Sequence, residues 1–160
     1  DVLTSRGLGD VYKRQYEQKG IDSLTTATEL YEFGSIQIKK RLYPQATKTF
    51  LKAIKLAENE PIEGKAIIEN ALGFTYAAQK DFKKAIKYYK FAITSLPDYT
   101  IALNNLGSAQ QKLFDYAEAY STYKKVLEID PKNKTALKKS KELEQRTNYK
   151  PFTEAKTKGF

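Results

Sequence analysis

The amino-acid sequence predicts an all-α fold, an α-solenoid of three helix–turn–helix repeats with a C-terminal capping helix. The first observation is a period of 34 residues, since Leu72-Gly73 recurs as Leu106-Gly107. The second is that each repeat has small residues, which let two helices approach closely, and large apolar residues, which fill the space between the helices. The third is that one period relates six further pairs of positions: Asp81 and Asp115, Phe82 and Tyr116, Ala85 and Ala119, Tyr89 and Tyr123, Ala92 and Val126, Pro97 and Pro131.

An earlier repeat shows the same pattern after a shift of 39 residues. Phe33-Gly34 precedes Leu72-Gly73 by that distance. The second helix of this repeat then has the matching positions Tyr43, Ala46, Phe50 and Ala53. The five additional residues, Pro61 to Lys65, are expected in a loop between repeats, where an insertion costs little. The predicted repeats are 27–60, 66–99 and 100–133.

Cap and breaker residues mark the predicted helix ends. Asp81 and Asp115 stand where the second helix of a repeat needs an N-cap. Pro44 suits a first helical turn, where its missing N–H has no partner to lose. Pro97 and Pro131 end second helices and open the turn to the next unit.

The segments outside the repeats have separate interpretations. Residues 134–147 predict the polar helix that covers the last apolar face of a solenoid, with Ala136, Leu137 and Leu143 near one face. Residues 16–26 are expected to be a lead-in, and residues 148–160 a disordered basic tail.

The first fifteen residues do not resemble the rest of the chain. They lack a helical period, and Asp10 to Gln15 read DVYKRQ. The codons GAT GTG TAT AAG AGA CAG encode that string and resemble the end of a transposase-based sequencing adaptor. The hypothesis is that residues 1–15 are translated adaptor, and the alternative is a disordered N-terminal arm.

Composition excludes several kinds of chemistry for this chain. It has no cysteine and no histidine, so thiol nucleophiles, disulfides, thiolate metal sites and imidazole bases are ruled out. No acidic pair falls in a predicted pocket, which leaves no candidate for general acid–base catalysis. The sequence therefore predicts no catalytic residue, no metal site and no cofactor.

The net charge of +9 is concentrated near the C-terminus. Residues 132–160 carry nine basic and three acidic groups, a net charge of +6, whereas residues 16–131 carry a net charge of +2. A basic segment can contact an anionic membrane or nucleic acid, or serve only as a solvated helix face. The solvated face is the favoured interpretation, and no nucleic-acid partner is expected because there is no Arg-rich run.

The repeat pattern resembles the tetratricopeptide repeat (TPR), whose first helices line a concave groove. The chain is therefore expected to bind a protein or an extended peptide there. Asn70, Asn104 and Asn105 are favoured as contacts to a peptide backbone, or alternatively as bridges between helices. Tyr31 and Phe74 are candidate anchors for an apolar side chain. The predicted groove residues are Tyr31, Ser35, Ile67, Asn70, Phe74, Ile101, Asn104, Asn105, Ser108 and Gln111, with Thr28, Glu32, Ile38 and Ala77 on the same face.

One subclass of the family can be tested on the sequence. Co-chaperone TPR domains hold a C-terminal carboxylate with Lys, Asn, Asn, Lys and Arg at fixed groove positions. This chain has Tyr31, Ser35, Ala71, Ile101 and Asn105 at those positions, so no cation remains. The resemblance therefore does not extend to binding of chaperone tails.

A closer resemblance is carried by three stretches: KKRLYPQA (39–46), ENALGFTYAAQKDFKKAIKYYKFAI (69–93) and PDYTIALNNLG (97–107). They are similar to a TPR family of cyanobacteria and plastids that is associated with photosystem I assembly or stability at the thylakoid membrane. The resemblance implies a non-enzymatic assembly factor whose partner is a photosystem I subunit or another assembly factor. It also implies membrane attachment through an N-terminal anchor that this chain does not include.

Two other functions are compatible with the sequence. One is a generic soluble TPR adaptor that binds a peptide or partner protein in its groove. The other is the regulatory part of a larger enzyme, which would need a catalytic domain upstream. The family resemblance predicts a thylakoid or other membrane-associated location on the cytoplasmic or stromal face, and the generic adaptor predicts a cytoplasmic one.

Overall fold

The computed structural model describes residues 24–147, which form an all-α solenoid, as the sequence predicts. The helices in this range are α1 (Ala27–Lys39), α2 (Tyr43–Leu56), α3 (Ile62–Ala78), α4 (Phe82–Ser95), α5 (Thr100–Lys112), α6 (Tyr116–Ile129) and α7 (Lys134–Thr147). Helices α1, α3 and α5 are the first helices of the three repeats, and α2, α4 and α6 are the second helices. A 3₁₀ turn, Ala57–Asn59, follows α2.

Each repeat packs a glycine of its first helix against an aromatic ring of its second. A Cβ atom on Gly73 would lie 2.6 Å from two ring carbons of Tyr89, closer than real carbon atoms approach. Gly34 faces the ring of Phe50 in the same way. Gly107 likewise faces Tyr123, and all three rings are buried. The predicted match of small and large residues is therefore confirmed.

The predicted helix ends agree with the structure except in one detail. The Asp81 side chain accepts a hydrogen bond from the backbone N–H of Lys84 at 3.1 Å, so it caps α4. Asp115 occupies the same position before α6, but its side chain makes no capping hydrogen bond. Pro44 lies in the first turn of α2. The helices α4 and α6 end two residues before their prolines.

The inserted segment Pro61 to Lys65 is not a loop, and this expectation was wrong. Pro61 is the N-cap of α3, and Ile62 to Lys65 form an added first turn, so α3 has 17 residues where α1 and α5 have 13. Proline is compatible with a helix start, and Glu63 in the first turn interacts favourably with the helix dipole.

The buried face of α7 also differs from the prediction in one residue. Ala136 and Leu143 are buried, as expected, but Leu137 is 47% exposed. The third buried position is Ser140. Residues spaced by four and then three positions share one helix face, whereas Leu137 is turned about 100° from Ala136.

The start of the described range belongs to the core. Leu24, predicted to be part of a lead-in, is buried in the cluster formed by α1, α2 and α3. Thr26 and Glu29 then form a reciprocal capping box that begins α1. The predictions for residues 1–15, 16–23 and 148–160 lie outside the described residues. Within residues 24–147, no helix combines the length and the hydrophobicity needed to span a membrane.

Glu69 is a buried carboxylate whose neutralisation should stabilise the protein. Burial raises its pKa above the ordinary value of 4.5, while Ser95 and Lys65 oppose this shift. The Ser95 hydroxyl donates to its Oε2 at 3.1 Å, and a glutamine keeps that acceptor. We expect Glu69→Gln to raise the free energy of unfolding at pH 7 by about 1 kcal/mol.

Thermal melts at several pH values test this expectation. A raised folded-state pKa means that the wild type gains stability as the pH falls towards 4.5. The difference in stability between Glu69→Gln and the wild type should therefore become smaller at lower pH. Glu128→Gln, at an exposed position of α6, is the control and should leave the melting temperature nearly unchanged. A lower melting temperature for Glu69→Gln at pH 7 would contradict the assignment.

Candidate interaction groove

The first helices of the repeats line the inner side of the solenoid. Helix α1 contacts α3, and α3 contacts α5, whereas α2, α4 and α6 approach one another less closely. A stack of helix pairs curves towards the side on which its helices are closer together, so α1, α3 and α5 form the concave wall. We call this surface the groove.

None of the predicted groove residues is fully buried, as a binding surface requires. The most exposed apolar side chains among them are Ile101 and Phe74, at 58% and 43% of their accessible areas. The exposed members are Thr28, Ile67, Phe74, Ile101 and Ser108, and the half-buried members are Tyr31, Glu32, Ser35, Ile38, Asn70, Ala77, Asn104, Asn105 and Gln111.

The asparagines connect neighbouring elements to one another. The Asn105 amide donates to Oδ1 of Asn70 at 3.0 Å, which joins α5 to α3. The Asn70 amide donates in turn to the hydroxyl of Tyr99 at 3.4 Å. The structure thus shows the bridging role that the sequence allows for these residues. Contact with a partner stays a prediction for both side chains.

Asn104 performs the same bridging role one step further along the stack. Its amide donates to Oδ1 of Asn133 at 3.2 Å, and that oxygen also caps α7 by accepting the Ala136 N–H. The Oδ1 atom of Asn104 itself is buried without a hydrogen-bond partner. The link from Asn104 to Asn133 therefore rests on its amide N–H alone.

Two further polar groove residues are held by internal hydrogen bonds. The Ser35 hydroxyl donates to the backbone carbonyl of Tyr31 at 2.8 Å. The Gln111 carbonyl oxygen accepts from the Tyr123 hydroxyl at 2.9 Å. These bonds fix side-chain orientations along the groove, so its polar groups are preorganised.

An apolar pocket of about 330 Å³ lies at the N-terminal end of the groove. Tyr31 and Ile67, both predicted, form part of its wall. Glu60, Pro61 and Gly64 complete the lining, and the last two belong to the segment wrongly expected to be a loop. Sequence reasoning missed these three residues, although the 39-residue spacing was the signal that this end of the groove differs from the rest.

A second cavity of about 410 Å³ lies at the opposite end of the groove, between α5 and α7. The predicted residues Ser108 and Gln111 line it together with three cations, Lys112, Lys139 and Arg146. Lys139 donates to Glu142 at 3.0 Å, and this bond lowers the pKa of the carboxyl group. The predicted groove residues do not include these cations, because the prediction used repeat positions and two of the cations lie on α7, outside the repeats.

The positions of the co-chaperone clamp form no cationic site in the structure. Tyr31 packs its ring 6.1 Å from that of Phe50, and Ser35 is bonded to the backbone of α1. Asn105 is bonded to Asn70, and Ile101 is exposed. No side chain at these positions carries a positive charge that could form an ion pair with a terminal carboxylate.

Comparisons with known proteins agree with the repeat architecture. A family model described as tetratricopeptide repeat matches residues 64–132. The chain is 31% identical over 158 residues to the chloroplastic tetratricopeptide repeat domain-containing protein PYG7 of Arabidopsis thaliana, covering 98% of this chain and 52% of that protein. It therefore spans about half the length of the Arabidopsis relative.

A second relative matches over most of its own length. The ycf37 protein of Cyanophora paradoxa is 37% identical over 129 residues, which cover 79% of this chain and 70% of that protein. Among solved structures, the first TPR of Spaghetti (RPAP3) bound to the HSP90 peptide SRMEEVD superposes with a TM-score of 0.69 at 25% identity, covering 76% of this chain and 94% of that one. The chain belongs to the family of tetratricopeptide-repeat proteins that includes ycf37.

Proposed function

We propose that this chain is a non-enzymatic assembly or stability factor for photosystem I, acting at the thylakoid membrane. The tetratricopeptide-repeat fold is a protein-interaction scaffold, and the relatives include a chloroplastic protein. The observation that carries the proposal is the 37% identity to ycf37 over 129 residues, which cover 79% of this chain. The link to photosystem I rests on the family resemblance.

The groove would hold an extended segment of a photosystem I subunit or of another assembly factor. The exposed side chains of Phe74 and Ile101 offer apolar contact along its floor. The pocket beside Tyr31 would take an apolar side chain at one end, and Lys112 and Arg146 would favour an acidic residue at the other. Binding of this kind needs no catalytic group and no cofactor.

Deleting the gene in its host and restoring it with variants tests the proposal. We expect deletion to lower the amount of photosystem I per chlorophyll, measured from the absorbance change of its oxidisable chlorophyll. The wild-type gene should restore it. The double variant Phe74→Ala, Ile101→Ala should not, because loss of two exposed apolar contacts weakens partner binding by about tenfold or more.

The matched control is Leu137→Ala, which truncates an exposed side chain of α7 that lines neither groove cavity. It should restore photosystem I as well as the wild-type gene does. An unchanged photosystem I ratio after deletion, under several light regimes, would contradict the photosystem role. The generic soluble adaptor would then be the better description of the protein.

A further inference from the structure

The second repeat differs from the other two at the contact between its helices. In the first repeat the Thr49 hydroxyl donates to the Gln37 carbonyl oxygen at 2.7 Å, and both residues are buried. In the third repeat Thr122 donates to Gln110 at 2.8 Å in the same way. In the first and third repeats this buried hydrogen bond joins the first helix to the second.

The equivalent pair in the second repeat is Tyr76 and Tyr88. Their rings stack with centroids 5.5 Å apart and an interplanar angle of 12°. Phe91 continues the series, with its ring edge-on to Tyr88 at 5.7 Å, and it is 43% exposed. A closed polar contact is thus replaced by a row of three rings that reaches the surface of α4.

Lysines surround these rings. The ammonium group of Lys84 lies 5.3 Å from the centre of the Tyr76 ring. Lys87 lies 5.9 Å from the centre of Tyr88 and 5.7 Å from that of Phe91, within the range of cation–π attraction. We call the five residues Tyr76, Lys84, Lys87, Tyr88 and Phe91 the α4 patch.

All the charged residues of helix α4 are positive. The helix carries four lysines, at positions 83, 84, 87 and 90, and no acidic residue; Asp81 precedes it as the N-cap. The second helix of the third repeat, α6, carries Lys124 and Lys125 but also two glutamates. The four lysines of α4 are exposed. Lys84 forms an ion pair with Asp81 at 3.1 Å, so the helix and its cap together keep a net charge of +3 around an aromatic centre.

We propose that the α4 patch is a second protein-binding surface, away from the groove, which docks a partner segment that has acidic residues beside a large apolar side chain. Aromatic centres with charged rims are typical of protein interfaces. The acidic residues would pair with the lysines, and the apolar side chain would pack on Phe91. The Tyr88 hydroxyl adds a hydrogen-bonding group at the rim.

The structure favours a protein over the other anionic partners. Phe91 packs edge-on against Tyr88 and is 43% exposed, so more than half of its surface is already covered and little of it is left to insert into lipid. Helix α4 contains no arginine, the residue that most often recognises phosphate in nucleic acids. An acidic protein surface fits both the fixed rings and the lysine rim.

Fluorescence anisotropy with synthetic peptides tests the proposal on the full chain. The probe is a labelled amphipathic peptide of glutamate and leucine, as long as α4. The controls are a peptide of glutamate alone and a lysine–leucine peptide of opposite charge. We expect saturable binding of the glutamate–leucine peptide, with affinity for both controls at least about tenfold weaker.

Matched variants identify the surface. Phe91→Ala, and separately the pair Lys84→Gln and Lys87→Gln, should each weaken binding by about tenfold. Changing Lys124 and Lys125 to glutamine removes the same charge from α6 and should change the affinity less than about twofold. Phe74→Ala in the groove should have no effect. Circular dichroism melts verify that each variant is folded.

Four results would overturn the proposal. One is an equal loss of affinity in the α6 variant, which means that only net charge matters. The second is full retention of binding by Phe91→Ala, and the third is no saturable binding by the wild type. The fourth is Phe91-dependent binding to phosphatidylglycerol vesicles or to single-stranded RNA in preference to the peptide, which would assign the patch to a membrane or a nucleic acid.

Discussion

Gly73→Ala is expected to lower the free energy of unfolding by about 2 kcal/mol. The added methyl group would lie 2.6 Å from the buried ring of Tyr89 and 3.2 Å from the carbonyl oxygen of Ala85. The ring is enclosed in the core, so it cannot move aside without shifting α3 and α4 apart. Alanine gains about 1 kcal/mol in helix propensity, which offsets only part of a clash costing about 3 kcal/mol.

Gly64→Ala is the matched control in the same helix. A Cβ atom at Gly64 would meet nothing within 4 Å. Only the propensity gain remains there, and we expect stability to rise by about 0.5–1 kcal/mol. Urea titrations of both variants measure the difference. Equal stability of the two variants would mean that the ring does not press against α3 as the structure shows.

Alkaline solution is expected to unfold the protein through two buried tyrosines. Burial raises the pKa of Tyr123 from 10.0 to about 12 and raises that of Tyr89 further. The neutral form is favoured in the folded state, while the unfolded chain releases both protons near pH 10. Stability is therefore fully present below pH 10 and falls above it, by about 3 kcal/mol per pH unit for the two residues together.

Tyr89→Phe provides the control, because Phe50 already occupies the equivalent position of the first repeat. The variant should keep the fold at pH 7. Above pH 10 its loss of stability should be less steep by about 1.4 kcal/mol per pH unit, since one ionisable group has been removed. Denaturant titrations across this range measure the slope. A slope that does not change in the variant would show that Tyr89 ionises in the folded protein without cost.

The parts of the fold fixed by local rules were predictable from the sequence. The 34-residue period located the helix pairs, and Asp81, Pro97 and Pro131 marked where helices begin and end. Two details depend on tertiary packing instead. The turn at Ile62 became helical because it extends α3, and Leu137 lies off the buried face because α7 docks through Ala136 and Leu143.

The sequence predicted which residues face the groove, but it did not predict the cavities at the two ends of the groove. Repeat positions placed Phe74, Ile101 and the asparagines on the correct helices. The two end cavities combine residues that lie far apart in the sequence, such as Lys112 and Arg146. The repeat pattern therefore does not predict these cavities. The α4 patch had a readable signal, since the positions occupied by Gln and Thr in repeats one and three are both tyrosine in repeat two.

Packing of each helix mainly against its neighbours in chain order makes this protein nearly one-dimensional. Its stability is divided among the interfaces between successive helices. Helices at either end can therefore unfold while the middle of the array stays folded. A segment bound along the groove touches α1, α3 and α5 at once. Such a segment would link repeats that otherwise contact only their neighbours. The rigidity of the whole array would therefore rise with the fraction of molecules that have a segment bound.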